Sequence, residues 1–375
     1  MNIPFNKPYF SGAEIAAVRQ SFENLHTSGC GPFTKEAEAR IKEITNSKYC
    51  LLTTSCTHAL EISAILLNFQ PGDEIIVPSY TFVSSALAFM MHGATPIFCD
   101  IRPDTLNIDE AQIEQLITPR TKAIVVVHYA GIACEMDEIK ALTNKHKLTL
   151  IEDNAHGLFG TYKGQKLGSI GDLATQSFHE TKNVSCGEGG ALLVNKSEYF
   201  ERAEIIREKG TNRSRFFRGQ IDKYTWMDLG SSYVISDTLA AILTTQLRLY
   251  KDIQAKRRNI WTAYNESLTE WASINGFTVP TVPADREQSY HMYFMLAPNF
   301  KTRQAFIQRL KESRIGAVFH YVPLHDSPAA KHYGSPSGSD CPITRSISDR
   351  IVRLPFFTGM TEPEQTRVVQ EIVKP

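Results

Sequence analysis

Three stretches of the chain carry residue types whose spacing suits chemistry. The first is Thr53-Thr54-Ser55-Cys56-Thr57, hydroxyl and thiol side chains between a run that reads as a strand and one that reads as a helix from about His58. Backbone N–H groups at a helix N-terminus lack partners and the helix dipole favours negative charge, so such a turn can cradle a phosphate or simply cap the helix. The second is Leu148-Thr-Leu-Ile-Glu-Asp-Asn-Ala-His156, an apolar run ending in Glu152 and Asp153, with His156 three residues further on. A carboxylate at the end of a buried strand is poorly solvated and stays ionised only beside a cation, such as a protonated ring nitrogen; otherwise it caps the next turn. The third runs from Ser177-Phe-His-Glu-Thr-Lys182 to Gly187-Glu-Gly-Gly190, a strand end followed by one lysine and a Gly-rich turn. A lysine held in a cleft loses its proton more readily than one in water and can then condense with an aldehyde.

The elements that must position these residues follow from hydrophobic patterning. Strands are expected at Tyr49–Thr53, Glu74–Pro78, Thr95–Asp100, Lys122–His128, Leu148–Asp153, Ala174–Phe178 and Ala191–Asn195. Several are apolar without alternation, as strands buried on both faces of a mostly parallel sheet should be. Amphipathic stretches at Thr57–Asn68, Val83–His92, Ile108–Leu116 and Met136–His146 fit the crossover helices between them. After Asn195 the pattern turns helical, with Glu198–Lys209 and then one long run from Ser236 to about Trp271. That run leads to a C-terminal α+β unit with apolar runs at Met292–Leu296 and Ala317–Val322 and a helix at Arg303–Ser313. The expected division is a large domain over residues 1–245 and a small one over 246–375.

Composition narrows the functional classes. With 40 basic and 40 acidic residues in 375, the chain lacks the excess positive charge that coating nucleic acid or an anionic membrane requires. No run approaches the ~20 apolar residues of a membrane span, and the N-terminal residues lack the apolar core of a secretion signal, so a cytoplasmic location is expected. The seven cysteines are scattered without a Cys-x-x-Cys pair, which points to reduced thiols rather than zinc or disulfides. Neither a Gly-x-Gly-x-x-Gly fingerprint nor a phosphate-binding Gly-Lys-Ser/Thr occurs. His320 and His325 superficially suggest a metal pair, but no acidic or cysteine cluster completes it and no metal is expected.

An anchor for a phosphate, a partner for a ring nitrogen and an amine for an aldehyde are together what pyridoxal phosphate needs, and they occur in the order cradle, Asp153, Lys182. Around them lie Pro71-Gly-Asp-Glu, Pro78-Ser-Tyr-Thr-Phe-Val-Ser84, Arg102-Pro-Asp-Thr, His128-Tyr-Ala-Gly, Ser177-Phe-His-Glu-Thr-Lys-Asn183, Ile206-Arg-Glu-Lys-Gly-Thr-Asn-Arg-Ser214 and Asp222-Lys-Tyr-Thr-Trp226. Through these stretches the chain resembles, over essentially its whole length, the DegT/DnrJ/EryC1/StrS family of sugar nucleotide aminotransferases. The resemblance implies pyridoxal-phosphate fold type I, the aspartate aminotransferase-like architecture with a seven-stranded mostly parallel sheet and a smaller C-terminal α+β domain.

The resemblance also assigns roles. Lys182 would hold the cofactor aldehyde and Asp153 the pyridine nitrogen, these two being the catalytic pair. Phe82 would lie against the ring, Ser55, Cys56, Thr57 and Ser177 would hold the phosphate, and His156, where relatives commonly have Gln, would face the ring hydroxyl. In Gly230-Ser-Ser-Tyr233 many relatives place an Asn that reaches the phosphate of the other subunit; Ser231 or Ser232 would partly take that place with a shorter reach, Ser232 being the expected cofactor contact. Residues 202–223 hold seven basic side chains, from which Lys209, Arg213 and Lys223 are expected to meet a nucleotide diphosphate, with His320 and Tyr321 on the substrate side. The nearest branch of the family implies dTDP-4-keto-6-deoxyglucose and L-glutamate as substrates, pyridoxamine phosphate as the intermediate cofactor form, and a homodimer with shared sites. A 3-aminotransferase, or one acting on another keto sugar nucleotide, would present the same cofactor residues. A non-catalytic binding protein on this scaffold would be expected to lose Lys182.

Overall fold

The computed structural model describes residues 1–333 and 340–374. Its strands are β1 Tyr49–Thr53, β2 Glu74–Pro78, β3 Thr95–Cys99, β4 Thr121–Val127, β5 Thr149–Asp153, β6 Thr161–Tyr162, β7 Gln165–Lys166, β8 Leu173–Ser177, β9 Gly190–Val194, β10 Arg286–Glu287, β11 Phe294–Leu296 and β12 Ile351–Arg353. Seven of them form the main sheet in the order β1-β9-β8-β5-β4-β2-β3. β9 runs antiparallel to both of its neighbours, and the remaining pairs are parallel. The unalternating run of β4 is explained by burial on both faces. Val125 packs with Ile75, Val77 and Ile151 on one side, while Ile124 and Val126 pack with Ile76 and Leu150 on the other.

The crossover helices Cys56–Leu66, Ser84–Met90, Glu110–Leu116 and Met136–His146 lie within a few residues of their expected positions. The expected continuous run from Ser236 is two helices, Asp237–Arg248 and Tyr250–Ile274, which meet at Leu249 (φ −96°, ψ 7°). No Gly or Pro marks the break. The first of the two is fixed from within the fold by Asp237, whose carboxylate accepts from the N–H of Thr34 at 2.8 Å and from its hydroxyl at 2.7 Å, tying it to the helix Pro32–Thr45.

In the C-terminal unit β11 pairs antiparallel with β12, a strand that the apolar patterning does not announce. The run Ala317–Val322 gives only a single bridge, Val318 to Arg353. Tyr264, Leu268, Tyr293, Met295, Phe306, Leu310 and Val352 form this unit's core, and Ile3 from the far end of the sequence joins them and bridges to Ile315. Among the described residues no helix is long and apolar enough to cross a membrane.

Candidate active site

Parallel strands bring Thr53, Val127, Asp153 and Ser177 to one edge of the sheet, and β9 enters that edge at Gly190, opposite Thr53 on one side and Ser177 on the other. A cavity of about 540 Å³ opens there, closed by residues of the C-terminal unit. Ser55, Cys56, Thr57, Phe82, Asp153, His156, Ser177, Lys182, His320 and Tyr321 all line it.

The cradle is built by the start of the helix Cys56–Leu66. Ser55 is its N-cap and accepts from the N–H of His58 at 3.1 Å, while the N–H groups of Cys56 and Thr57 head the helix with no intrahelical acceptor. Gly190 is required beside this turn, because a Cβ there would collide with the Ser55 carbonyl carbon and the Cys56 nitrogen. The Thr57 hydroxyl pairs with that of Ser84 at 2.8 Å, and the Cys56 thiol donates to Thr175 at 3.4 Å. Burial raises the Cys56 thiol far above its ordinary range, so it serves as a neutral donor and not as a nucleophile.

At the end of β5 the two carboxylates separate. Glu152 is fully buried on one face and accepts from His128 Nε2 at 3.0 Å and from the N–H groups of Gly168, Ile170 and Gly171 at 2.6–2.8 Å. Burial opposes its charge, but these donors together hold it below the ordinary carboxylate range. Asp153 lies on the cavity face. It accepts from the Ser85 hydroxyl at 2.7 Å and the Ala155 N–H at 3.2 Å, and burial leaves its pKa raised. A cation placed in the cavity against Asp153 would reverse that shift.

Lys182 sits half-buried in the turn from β8 to β9, its N–H bonded to the His179 carbonyl at 2.9 Å. Burial lowers the pKa of its ammonium, with Cys56 and Asp153 opposing that shift and Arg353 adding to it. Phe82 is 57% exposed, an aromatic face left uncovered inside the cavity. His156 stacks on His291, their centroids 4.2 Å apart, and its Nε2 meets the Tyr321 hydroxyl at 3.4 Å. Its Nδ1 is buried without a partner. His320 pairs through Nδ1 with the Tyr129 hydroxyl at 2.6 Å. Burial pushes His156, His291 and His320 well below the usual imidazole range, so all three are neutral at pH 7.

Lys209, Arg213, Lys223 and Ser232 do not line the cavity. They lie exposed on a flap stitched by bridges from Glu208 to Ser232 and from Thr211 to Trp226. His325 is likewise outside the cavity wall, its Nδ1 bound to the Ser79 hydroxyl at 2.6 Å. Sequence reasoning missed Ser85, His291, Arg353, Phe5 and Asn6, the last four lining the cavity. Ser85 had a readable signal, a hydroxyl pair opening a helix after a strand, as in the first cradle. The others arrive from distant segments by tertiary folding, which no local pattern announces.

An uncovered ring, an orphaned imidazole nitrogen, a carboxylate awaiting a cation and a close-packed anion cradle fit pyridoxal phosphate, and on this sheet they define a pyridoxal-phosphate enzyme of the aspartate aminotransferase-like fold. Within that class the chain belongs to the DegT/DnrJ/EryC1/StrS aminotransferase family, whose profile it matches over residues 8–373. It is 35% identical over 351 residues to an uncharacterised protein of Methanocaldococcus jannaschii, covering 92% of this chain and 90% of that one. It is 32% identical over 377 residues to the spore coat polysaccharide biosynthesis protein SpsC of Bacillus subtilis, covering 99% and 96%. Among solved structures it is similar to the aminotransferase TlmJ from Streptoalloteichus hindustanus, with a TM-score of 0.91, 29% identity, and 100% and 98% of the two chains covered. The PMP-form of Spr1654 from Streptococcus pneumoniae, assigned as a sugar aminotransferase, also superposes with a TM-score of 0.91 at 28% identity, covering 99% and 98%. The protein is an aminotransferase that works with pyridoxal phosphate.

Proposed function

We propose that the protein moves an amino group from L-glutamate to C4 of dTDP-4-keto-6-deoxy-D-glucose, giving dTDP-4-amino-4,6-dideoxy-D-galactose. The observation that carries a transamination is Lys182, the only lysine among the described residues that line the cavity, with its ammonium pushed toward deprotonation. The sugar is supported by the long motif resemblance and by relatives described as acting in polysaccharide biosynthesis and as a sugar aminotransferase.

When bound, pyridoxal phosphate supplies an aldehyde for the amine and a ring that takes up the electrons released when a proton leaves the carbon bearing nitrogen. In this reading Lys182 Nζ takes the proton from the donor carbon and later delivers one to C4 of the sugar. Asp153 keeps the ring nitrogen protonated. Ser55, Thr57, Ser177 and the N–H groups of Cys56 and Thr57 hold the phosphate. Phe82 would lie against the ring and His156, whose Nδ1 is left without a partner, would face the ring hydroxyl. His320 and Tyr321 line the substrate side.

The flap belongs to the same reading. Trp226 is 77% exposed and Phe217 and Leu229 are also uncovered in the single chain, more apolar surface than a free loop should present. In a closed two-fold dimer the flap would bring Lys209, Arg213, Lys223 and Ser232 to the partner's cavity, where they would meet the diphosphate and the cofactor phosphate. Incubation with the keto sugar nucleotide and L-glutamate, followed by NMR of the product, tests the assignment. The expected product carries an axial 4-amine; an equatorial amine, amination at C3 or no product would overturn it.

A further inference from the structure

Lys182 lies in an irregular turn between Ser177 and Gly190, the ends of β8 and β9. Up to Lys182 the turn is tied by its own backbone, Glu180 N–H to the Gly187 carbonyl and Lys182 N–H to the His179 carbonyl, both at 2.9 Å. Among the described residues the N–H groups of residues 183–185 make no backbone bond. That side of the lysine is held by Val184, packed in the core, and by the side chain of Asn183. Asn183 Nδ2 donates to the Ser289 carbonyl at 2.7 Å and to Gln254 Oε1 at 3.1 Å, while Gln254 Nε2 donates to the same carbonyl at 3.1 Å. A carbonyl can only accept, so this one oxygen orients both amides. The atom that meets His291 Nδ1 at 3.0 Å is therefore Asn183 Oδ1, which also can only accept. Burial keeps His291 neutral, so its single ring proton sits on Nδ1.

The strap that delivers these groups comes from the C-terminal unit and is strained. Tyr290, between Ser289 and His291, has a φ of +52°, a left-handed conformation that a bulky residue keeps only where its surroundings over-determine it. Here Arg257 donates to the Tyr290 carbonyl at 2.9 Å and the His291 carbonyl at 2.6 Å, the Ser289 N–H donates to the Gly131 carbonyl at 3.1 Å, and the Ser289 hydroxyl donates to the His156 carbonyl. The residues on either side of the strained link close on one amide, that of Asn183, next in sequence to Lys182. We propose that His291 is a positioning residue for Lys182: its Nδ1–H bond to Asn183 fixes the turn that carries the reacting amine, and its stacking on His156 holds the ring in the orientation that makes this bond. The inference rests on the aminotransferase reading above for the part Lys182 plays, and adds the clamp that aims it.

The test compares His291→Phe, which keeps a ring but loses the donor, His291→Asn, whose amide can donate from the Nδ1 position, Asn183→Ala, and the double variant His291→Phe with Asn183→Ala. In the holoenzyme, single-turnover loss of the cofactor band on adding L-glutamate should slow about 10-fold in His291→Phe and in Asn183→Ala, with binding of 2-methyl-L-glutamate, which has no hydrogen to give up, changed less than about 3-fold. The double variant should be no slower than either single one, because both remove the same contact. Deuterium at Cα of glutamate should slow these variants more than wild type, since proton transfer to Lys182 has become the slower step, and His291→Asn should regain part of the rate. In the apo protein, nitrogen NMR of the His291 ring should find its proton on Nδ1, and hydrogen exchange at the Lys182 N–H should quicken in His291→Phe. A proton on Nε2, multiplying losses in the double variant, an unchanged isotope effect or no slowing would overturn the role of His291. A wild-type band that responds to no amino acid would overturn the donor reading, and the two measurements on the apo protein would still decide whether the clamp exists.

Discussion

Glu152 and Asp153 are consecutive residues of one strand, and the sheet sends them to opposite faces. Glu152 meets four donors supplied by the chain itself and is held ionised. Asp153 meets two and is left with a raised pKa. The difference separates what the polypeptide completes alone from what it leaves for a ligand. A carboxylate whose bonds are all made inside the chain maintains the fold, while one whose shell is short beside an open cavity stores a preference for a cation.

The largest effect that would sharpen this contrast is on turnover. Asp153→Asn should lower the transamination rate by ~10³-fold, because an amide cannot hold a ring-nitrogen proton electrostatically. Its apo form should be as stable as wild type or more so at pH 7. The raised folded pKa means that ionisation costs stability above the unfolded pKa, and the amide removes that cost. Paired turnover assays and thermal melts check both halves.

Glu152→Gln should do the reverse, losing about 3–5 kcal/mol of stability while the folded fraction keeps most of its rate. The folded pKa of Glu152 is depressed, so its contribution is present above the unfolded carboxylate pKa and lost as the pH falls through the folded one. Denaturant titration at pH 7 reads the loss. An unimpaired stability would break the comparison.

The stacked pair His156 and His291 gives a pH dependence of its own. Both folded pKa values lie well below 6.5, so the unfolded chain binds protons that the folded one refuses, and stability present above pH 6.5 is lost as the pH falls below it. Each such proton contributes a slope of about 1.4 kcal/mol per pH unit. Melting the apo protein between pH 7 and 5 should show this decline, and His156→Gln should flatten it.

The smallest effect is at Ser85. Removing its hydroxyl in Ser85→Ala leaves Asp153 one donor fewer and should cost about 1 kcal/mol, with a modest weakening of cofactor binding by equilibrium dialysis.

Much of the sheet was legible because its strands are buried on both faces and their apolar runs are bounded by turns. Cradle, Asp153 and Lys182 were legible because each lies at a strand end, where a polar residue interrupts an apolar run. That Glu152 and Asp153 part company was not, since their types are nearly identical and only the pleat decides which face each takes. Arg353 and His291 were hidden for a different reason. They reach the cavity from the C-terminal unit, across more than a hundred residues of intervening chain. Likewise the break at Leu249 carries no breaker residue, so no local pattern announces it.

The account rests on Lys182 as the amine that meets the cofactor. Its most direct test is the absorbance of protein saturated with pyridoxal phosphate, recorded for wild type and Lys182→Ala before and after L-glutamate. The account predicts a visible band in wild type that disappears with glutamate and returns with the keto sugar nucleotide, and a Lys182→Ala protein that folds, shows no protein-linked band and survives borohydride without covalent labelling. A Lys182→Ala protein that kept the band and its response to glutamate would contradict it.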